Sequence, residues 1–233
     1  QRMVQAMDIQ VGRVLQTLAD RELSGNTIVV FTSDNGGERF SDTWPFTGRK
    51  TELLEGGLRI PSVISWPAHI PAGAVSEQVS ITMDWMPTLL AAAGIAAPSD
   101  YPFDGINLLP MLTRRTAPVP RTLFWRYKAN AQRASRDGDY KFLKILDNTF
   151  LFNVVDDPME RANLKERHPD IFNRLVTQWF DWNATMLPEI DESVSGSFSG
   201  DELADHFGAQ GGPDSTGKAD NPARPRDGSG KPD

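Results

Sequence analysis

Apolar side chains recur at Val4, Met7, Val11, Val14, Leu15 and Leu18. This three-to-four spacing predicts an amphipathic helix over residues 3–20, closed near Ser24-Gly25. The run Thr27-Ile28-Val29-Val30-Phe31 follows. It predicts a strand over 27–32 that is buried, because consecutive apolar residues leave neither face for water. Residues 36–57 combine glycines, Pro45 and mixed polarity and read as loop. A second strand is expected over 60–66, ended by Pro67 and Pro71. Asp84 is placed to cap a helix over 85–93, with Pro87 tolerated in its first turn and Gly94 closing it. Strand, loop, strand and helix in that order predict an α/β layer.

Past residue 113 the pattern shortens. Segments 122–127, 132–136, 140–146 and 149–153 read as strands, with Asp137-Gly138 and Asp147-Asn148 as turn signals between neighbours. An antiparallel sheet of about four strands satisfies them. Pro169 then opens a helix whose stripe of Ile171, Phe172, Leu175, Val176, Trp179 and Trp182 would cover that sheet. From Gly208 to Asp233 there is no Leu, Ile, Val, Met or aromatic residue. A segment so poor in apolar area cannot offset its ordering entropy. The expected organisation is an α/β part over 1–113, a small α+β subdomain over 114–188, and a disordered Gly/Pro/Asp-rich tail over 189–233.

Composition changes this picture little. The chain has 233 residues, 39% of them hydrophobic, and the polar tail accounts for much of the shortfall in apolar content. A net charge of −7 argues against non-specific nucleic-acid binding, which needs a basic surface. No apolar run approaches membrane-spanning length, and the absence of cysteine excludes disulfides.

Candidate chemistry gathers after the first strand. Thr32-Ser33-Asp34-Asn35-Gly36-Gly37 is followed by Lys50 and then Glu55-Gly56-Gly57. Asp and Asn oxygens suit a hard cation, and ligands of open α/β sheets sit at the carboxyl ends of strands. The glycines leave room for sharp turns and close approach, and Lys50 offers a positive charge to an anionic substrate. Taken alone, Asp-Asn-Gly-Gly reads first as an ordinary turn. Arg39, Asp42, Trp44 and Phe46 either line a pocket, with Trp44 stacking on a ring, or pack against the domain. His69, His168 and His206 stand outside these motifs.

The same segments resemble the type I sulfatases of the alkaline phosphatase superfamily, in the part that follows their nucleophile. The resemblance rests on Met3 to Gly12, Ser33-Asp34-Asn35-Gly36-Gly37, Lys50 with Glu55-Gly56-Gly57 and Arg59, and Asp84 to Gly94. It continues through Asp104-Gly105, Arg136-Asp137-Gly138 with Lys141, and Asp157-Pro158 with Glu160, Asn163 and Leu164. It implies the C-terminal part of an alkaline-phosphatase-like mixed sheet flanked by helices, plus a small antiparallel subdomain with a packing helix. It also implies calcium-dependent cleavage of a sulfate ester, the substrate being a small molecule or a carbohydrate. Asp34 and Asn35 would be calcium ligands, Lys50 would contact the sulfate, and Asp34 would take a proton from the attacking hydroxyl. Glu55 and Arg59 would pair to hold the loop. The family's formylglycine arises from a C/S-x-P-x-R motif that this sequence does not contain, so the chain reads as a C-terminal portion, inactive alone. A phosphoester or phosphonate hydrolase of the same superfamily is the alternative, disfavoured by Asn35 where relatives of that kind carry His. A non-catalytic binding module is a third reading. Family analogy further implies a periplasmic or secreted protein.

Overall fold

The computed structural model describes residues 2–38 and 41–188. The expected tail over 189–233, with His206, and Arg39 lie outside them. Helix α1 (Arg2–Asp20) forms where its periodicity predicts. Strands β1 (Val29–Thr32) and β2 (Ser62–Ser65) pair antiparallel, from Val29 opposite Ser65 to Thr32 opposite Ser62. Between them lies a long loop that ends in one helical turn, α2 (Glu55–Leu58). One sequence expectation is corrected here. The first strand is not buried: Phe31 is 49% exposed, because only β2 pairs with it among the described residues. No residue of α1 is buried either.

Helix α3 (Trp85–Ala92) is closed by Gly94, whose φ of 70° is the left-handed conformation a helix stop needs. Asp84 stands before this helix but does not cap it. Its carboxylate is fully buried, accepts the amides of Ile81 and Ile106 at 2.8 Å each, and pairs with Arg121 at 2.6 Å. Asp84 therefore joins three segments rather than finishing one helix. Gly105 is required by the same junction, since a Cβ there would lie 2.2 Å from the Met83 carbonyl oxygen. A further turn, α4 (Leu109–Leu112), leads into the second half.

Strands β3 (Thr122–Tyr127), β4 (Gln132–Asp137), β5 (Tyr140–Ile145) and β6 (Asn148–Asn153) form an antiparallel meander in sequence order. Asp137 pairs with Tyr140 and Ile145 with Asn148. The tight turns are therefore Gly138-Asp139 and Leu146-Asp147, each one residue from the expected dipeptide.

Both faces of this sheet are covered. On one, helix α5 (Pro169–Ala184) lays Leu175 and Trp179, both fully buried, on Phe142 and Leu151. The Trp179 indole N–H donates to the Trp125 carbonyl at 2.9 Å, satisfying a buried donor. On the other face, Ala134, Leu143, Ile145, Phe152 and Val154 pack against Leu53 and Leu54. The loop that precedes α2 is thus embedded in the core of the C-terminal sheet.

Candidate functional site

The two glycine-bearing segments that stand apart in sequence meet backbone to backbone. The Gly36 amide donates to the Gly57 carbonyl at 2.8 Å, and the Lys50 amide donates to the Gly37 carbonyl at 2.8 Å. The approach leaves no space for side chains: a Cβ on Gly36 would sit 1.8 Å from the Gly56 oxygen, and one on Gly57 would sit 2.0 Å from the Glu52 oxygen. Asp34 and Asn35 are carried on the rim of this contact. Asp34 is exposed and its Oδ1 accepts the Asn35 amide at 3.0 Å, while Asn35 is half-buried.

Lys50 is also exposed, and its ammonium lies 3.3 Å from Glu38 Oε2. An exposed pair of this kind is worth little and exchanges readily for another anion. The fold thus brings the Lys50 backbone onto the Asp34–Gly37 loop while its ammonium is turned to Glu38. A cavity of about 420 Å³ opens beside the loop, lined by Asn35, Gly36, Asp42, Trp44, Phe46 and Arg59 among others. Trp44 is 73% exposed there. Asp34 and Lys50 do not line this cavity.

The oxygen donors of Asp34 and Asn35 have the chemistry a hard cation takes. They supply part of a coordination shell only, for no group of three or more His, Cys, Asp or Glu residues that could hold a metal exists among the described residues.

Arg59 does not pair with Glu55. Its guanidinium lies over the Phe46 ring at 4.9 Å. Glu55 is held instead by Lys141, whose Nζ is 2.9 Å from Glu55 Oε1 and 2.9 Å from Glu160 Oε1. Arg136 stands 3.8 Å from Glu55 Oε2. The Lys141–Glu160 contact is close but bent, so Glu160 Oε1 is held by charge rather than by an aligned hydrogen bond. Glu160 Oε2 accepts the Glu55 amide at 2.7 Å. Lys141 and Glu160 are fully buried.

Burial pushes the Glu55 carboxyl up, yet the charge and hydrogen bond of Lys141, helped by Arg136 and Arg59, hold it below its ordinary range. For Lys141, burial works downward and the two carboxylates outweigh it, so its pKa is raised. Glu160 is raised, chiefly by burial, with Glu55 adding to it and Lys141 opposing. Glu52 is likewise raised by burial, against the Arg49 amide it accepts. Sequence reading missed Lys141 and Glu160 as parts of this arrangement. A signal was there: Lys141 shares the alternation of Leu143 and Ile145, which puts a charge on a core-facing position.

Residues 1–95 match the family model described as Sulfatase. Over 144 residues it is 42% identical to the N-acetylgalactosamine-6-sulfatase of Sus scrofa, a match covering 59% of this chain and 27% of that protein. Among solved structures it resembles Ps i-CgsB, determined in complex with k-i-k-neocarrahexaose. The TM-score is 0.71 at 29% identity, over 77% of this chain and 41% of that one. It also resembles BT4656, solved with its substrate D-glucosamine-2-N,6-O-disulfate, with a TM-score of 0.60 at 26% identity, over 78% of this chain and 39% of that one. The chain spans well under half the length of these relatives.

Proposed function

We propose that the full-length protein hydrolyses sulfate esters of carbohydrates, with calcium held in part by Asp34 and Asn35 and with Lys50 on the sulfate. The observation that carries this reading is the fastening of the Asp34–Gly37 loop to the Lys50 and Gly57 backbones by two 2.8 Å hydrogen bonds. It fixes a carboxylate, an amide and an ammonium-bearing residue on one rigid support. The sugars bound by the neighbours, one of them a glucosamine disulfate, support a carbohydrate leaving group.

Calcium held by these residues would supply charge neutralisation for the sulfate oxygens. The residues of this chain do the rest of what is assigned here. Asp34 and Asn35 would give the ion oxygen ligands, and Asp34 would accept the proton of the attacking hydroxyl. Lys50 exchanges Glu38 for a sulfate oxygen and stabilises the charge that builds on the transferring group. The wall formed by Trp44, Phe46 and Arg59 faces the leaving group.

The test is a paired assay of a sulfate and a phosphate ester of the same sugar by the full-length protein, with and without a calcium chelator. Sulfate release that the chelator abolishes and calcium restores supports the reading. Preferential phosphate release favours the phosphoesterase alternative and overturns it.

A further inference from the structure

We propose that Lys141 is a positioning residue for the Asp34–Asn35 and Lys50 loops: it holds Glu55, and through Glu55 the Gly56–Gly57 turn on which the Gly36–Gly37 backbone rests. The role of those loops in sulfate chemistry is the reading given above. The mechanical claim stands on the chain's own contacts.

Lys141 and Glu160 grip Glu55 at two points. The lysine takes its carboxylate at 2.9 Å, and Glu160, paired with that same lysine, takes its backbone amide at 2.7 Å. One residue on, the Gly56 amide donates to the Thr47 carbonyl at 2.7 Å, and the Thr47 hydroxyl donates to the carbonyl of Met159. Glu55 directly, and Gly56 through Thr47, are therefore tied to residues 159–160. The next contact outward is Gly36 on Gly57, with the hypothetical Gly36 Cβ only 1.8 Å from the Gly56 oxygen. No side chain lies between to absorb a displacement, so a shift of Glu55 moves the backbone beneath Asn35. Glu160 itself is held at a φ of 54°, a left-handed conformation unfavourable for a glutamate.

Stability alone is a poor account of this arrangement. Burying a lysine and two glutamates loses their hydration, and well-packed apolar residues of similar volume often serve a fold as well or better. The arrangement fixes direction and distance, which apolar packing does less sharply. It also joins three of the segments that carry the sulfatase resemblance: Glu55-Gly56-Gly57, Arg136 with Lys141, and Asp157-Pro158 with Glu160.

Amide hydrogen exchange on the full-length protein tests the claim. The variants are Lys141→Met and the charge-balanced Lys141→Met/Glu160→Gln, which keeps an acceptor for the Glu55 amide and no surplus buried carboxylate. Exchange at Gly36 and Gly56 is expected to rise at least about tenfold while Leu143 in β5 keeps its protection, the mark of a local opening. Wild-type exchange at Gly36 and Gly56 in a folded variant overturns the proposal; should Lys141→Met fail to fold, the double variant decides. In the full-length protein, Lys141→Met is expected to weaken apparent calcium affinity about tenfold, with turnover recovering at saturating calcium. Asp34→Ala separates the two readings. Loss of turnover in Asp34→Ala with unchanged calcium affinity in Lys141→Met overturns the positioning role alone, and normal turnover in Asp34→Ala overturns the site itself.

Discussion

The strands of the C-terminal sheet and the β1–β2 pair are similarly apolar, yet their fates differ. Leu143 and Leu151 are fully buried, whereas Phe31 is 49% and Val63 62% exposed. The four-stranded sheet has cover on both sides, from α5 and from the loop carrying Leu53 and Leu54. Helix α1 and the β1–β2 pair have no such cover among the described residues, and Met7 and Val14 are 51% and 62% exposed. An apolar pattern says which face of an element seeks burial, but another element must provide it. The candidate site lies between the two regions, borne by loops after β1 and anchored by contacts to the C-terminal sheet.

The sharpest way to break this contrast is in the C-terminal region. Trp179→Ala removes a fully buried indole and its hydrogen bond to Trp125, and is expected to lower stability by about 3–5 kcal/mol in urea denaturation. Glu55→Gln leaves Lys141 short of one carboxylate and should lower stability by up to about 3 kcal/mol, softened by the remaining Glu160. A loss in either variant no larger than that of an exposed substitution contradicts the description of the core.

The second of these effects has a pH signature. The Glu55 carboxyl lies below its ordinary value in the folded chain, so the unfolded chain binds its proton more readily. Its contribution is complete above the usual glutamate range and is lost as pH falls through the folded value. The stability gap between wild type and Glu55→Gln should therefore be widest near neutrality and narrow on acidification, as followed by urea midpoints across a pH series. A gap that widens toward acid pH contradicts the pairing.

Gly36→Ala comes next. Its methyl group would meet the Gly56 backbone, and an overpacking penalty of about 1–3 kcal/mol is expected in the same denaturation experiment. The smallest effect belongs to the N-terminal region. Met7→Ser on the exposed face of α1 should change the stability of this chain by no more than about 0.5 kcal/mol. A large loss there would show that α1 is covered after all.

Much of this was legible in the sequence. The boundaries of β3, β5 and α5 follow from alternation, turn residues and Pro169, since local pattern and final burial agree there. Asp34, Asn35 and Lys50 stood out because a polar, glycine-rich motif follows an apolar run. What could not be read were contacts between distant segments. Glu55 has a nearby arginine four residues on, yet its partner is Lys141 in β5. Asp84 looks like a helix cap, yet its carboxylate meets Ile106 and Arg121. Both errors come from assigning a charged residue to its sequence neighbour when the fold offers a buried partner elsewhere.

The most direct test of the central claim is the turnover of a sulfated monosaccharide by the full-length protein and its Asp34→Ala and Lys50→Ala variants, at saturating calcium. The account predicts that kcat falls by at least roughly a hundredfold in each, the scale of losing a group that stabilises transition-state charge, with unchanged thermal stability. Turnover within a few-fold of wild type in both variants would contradict it.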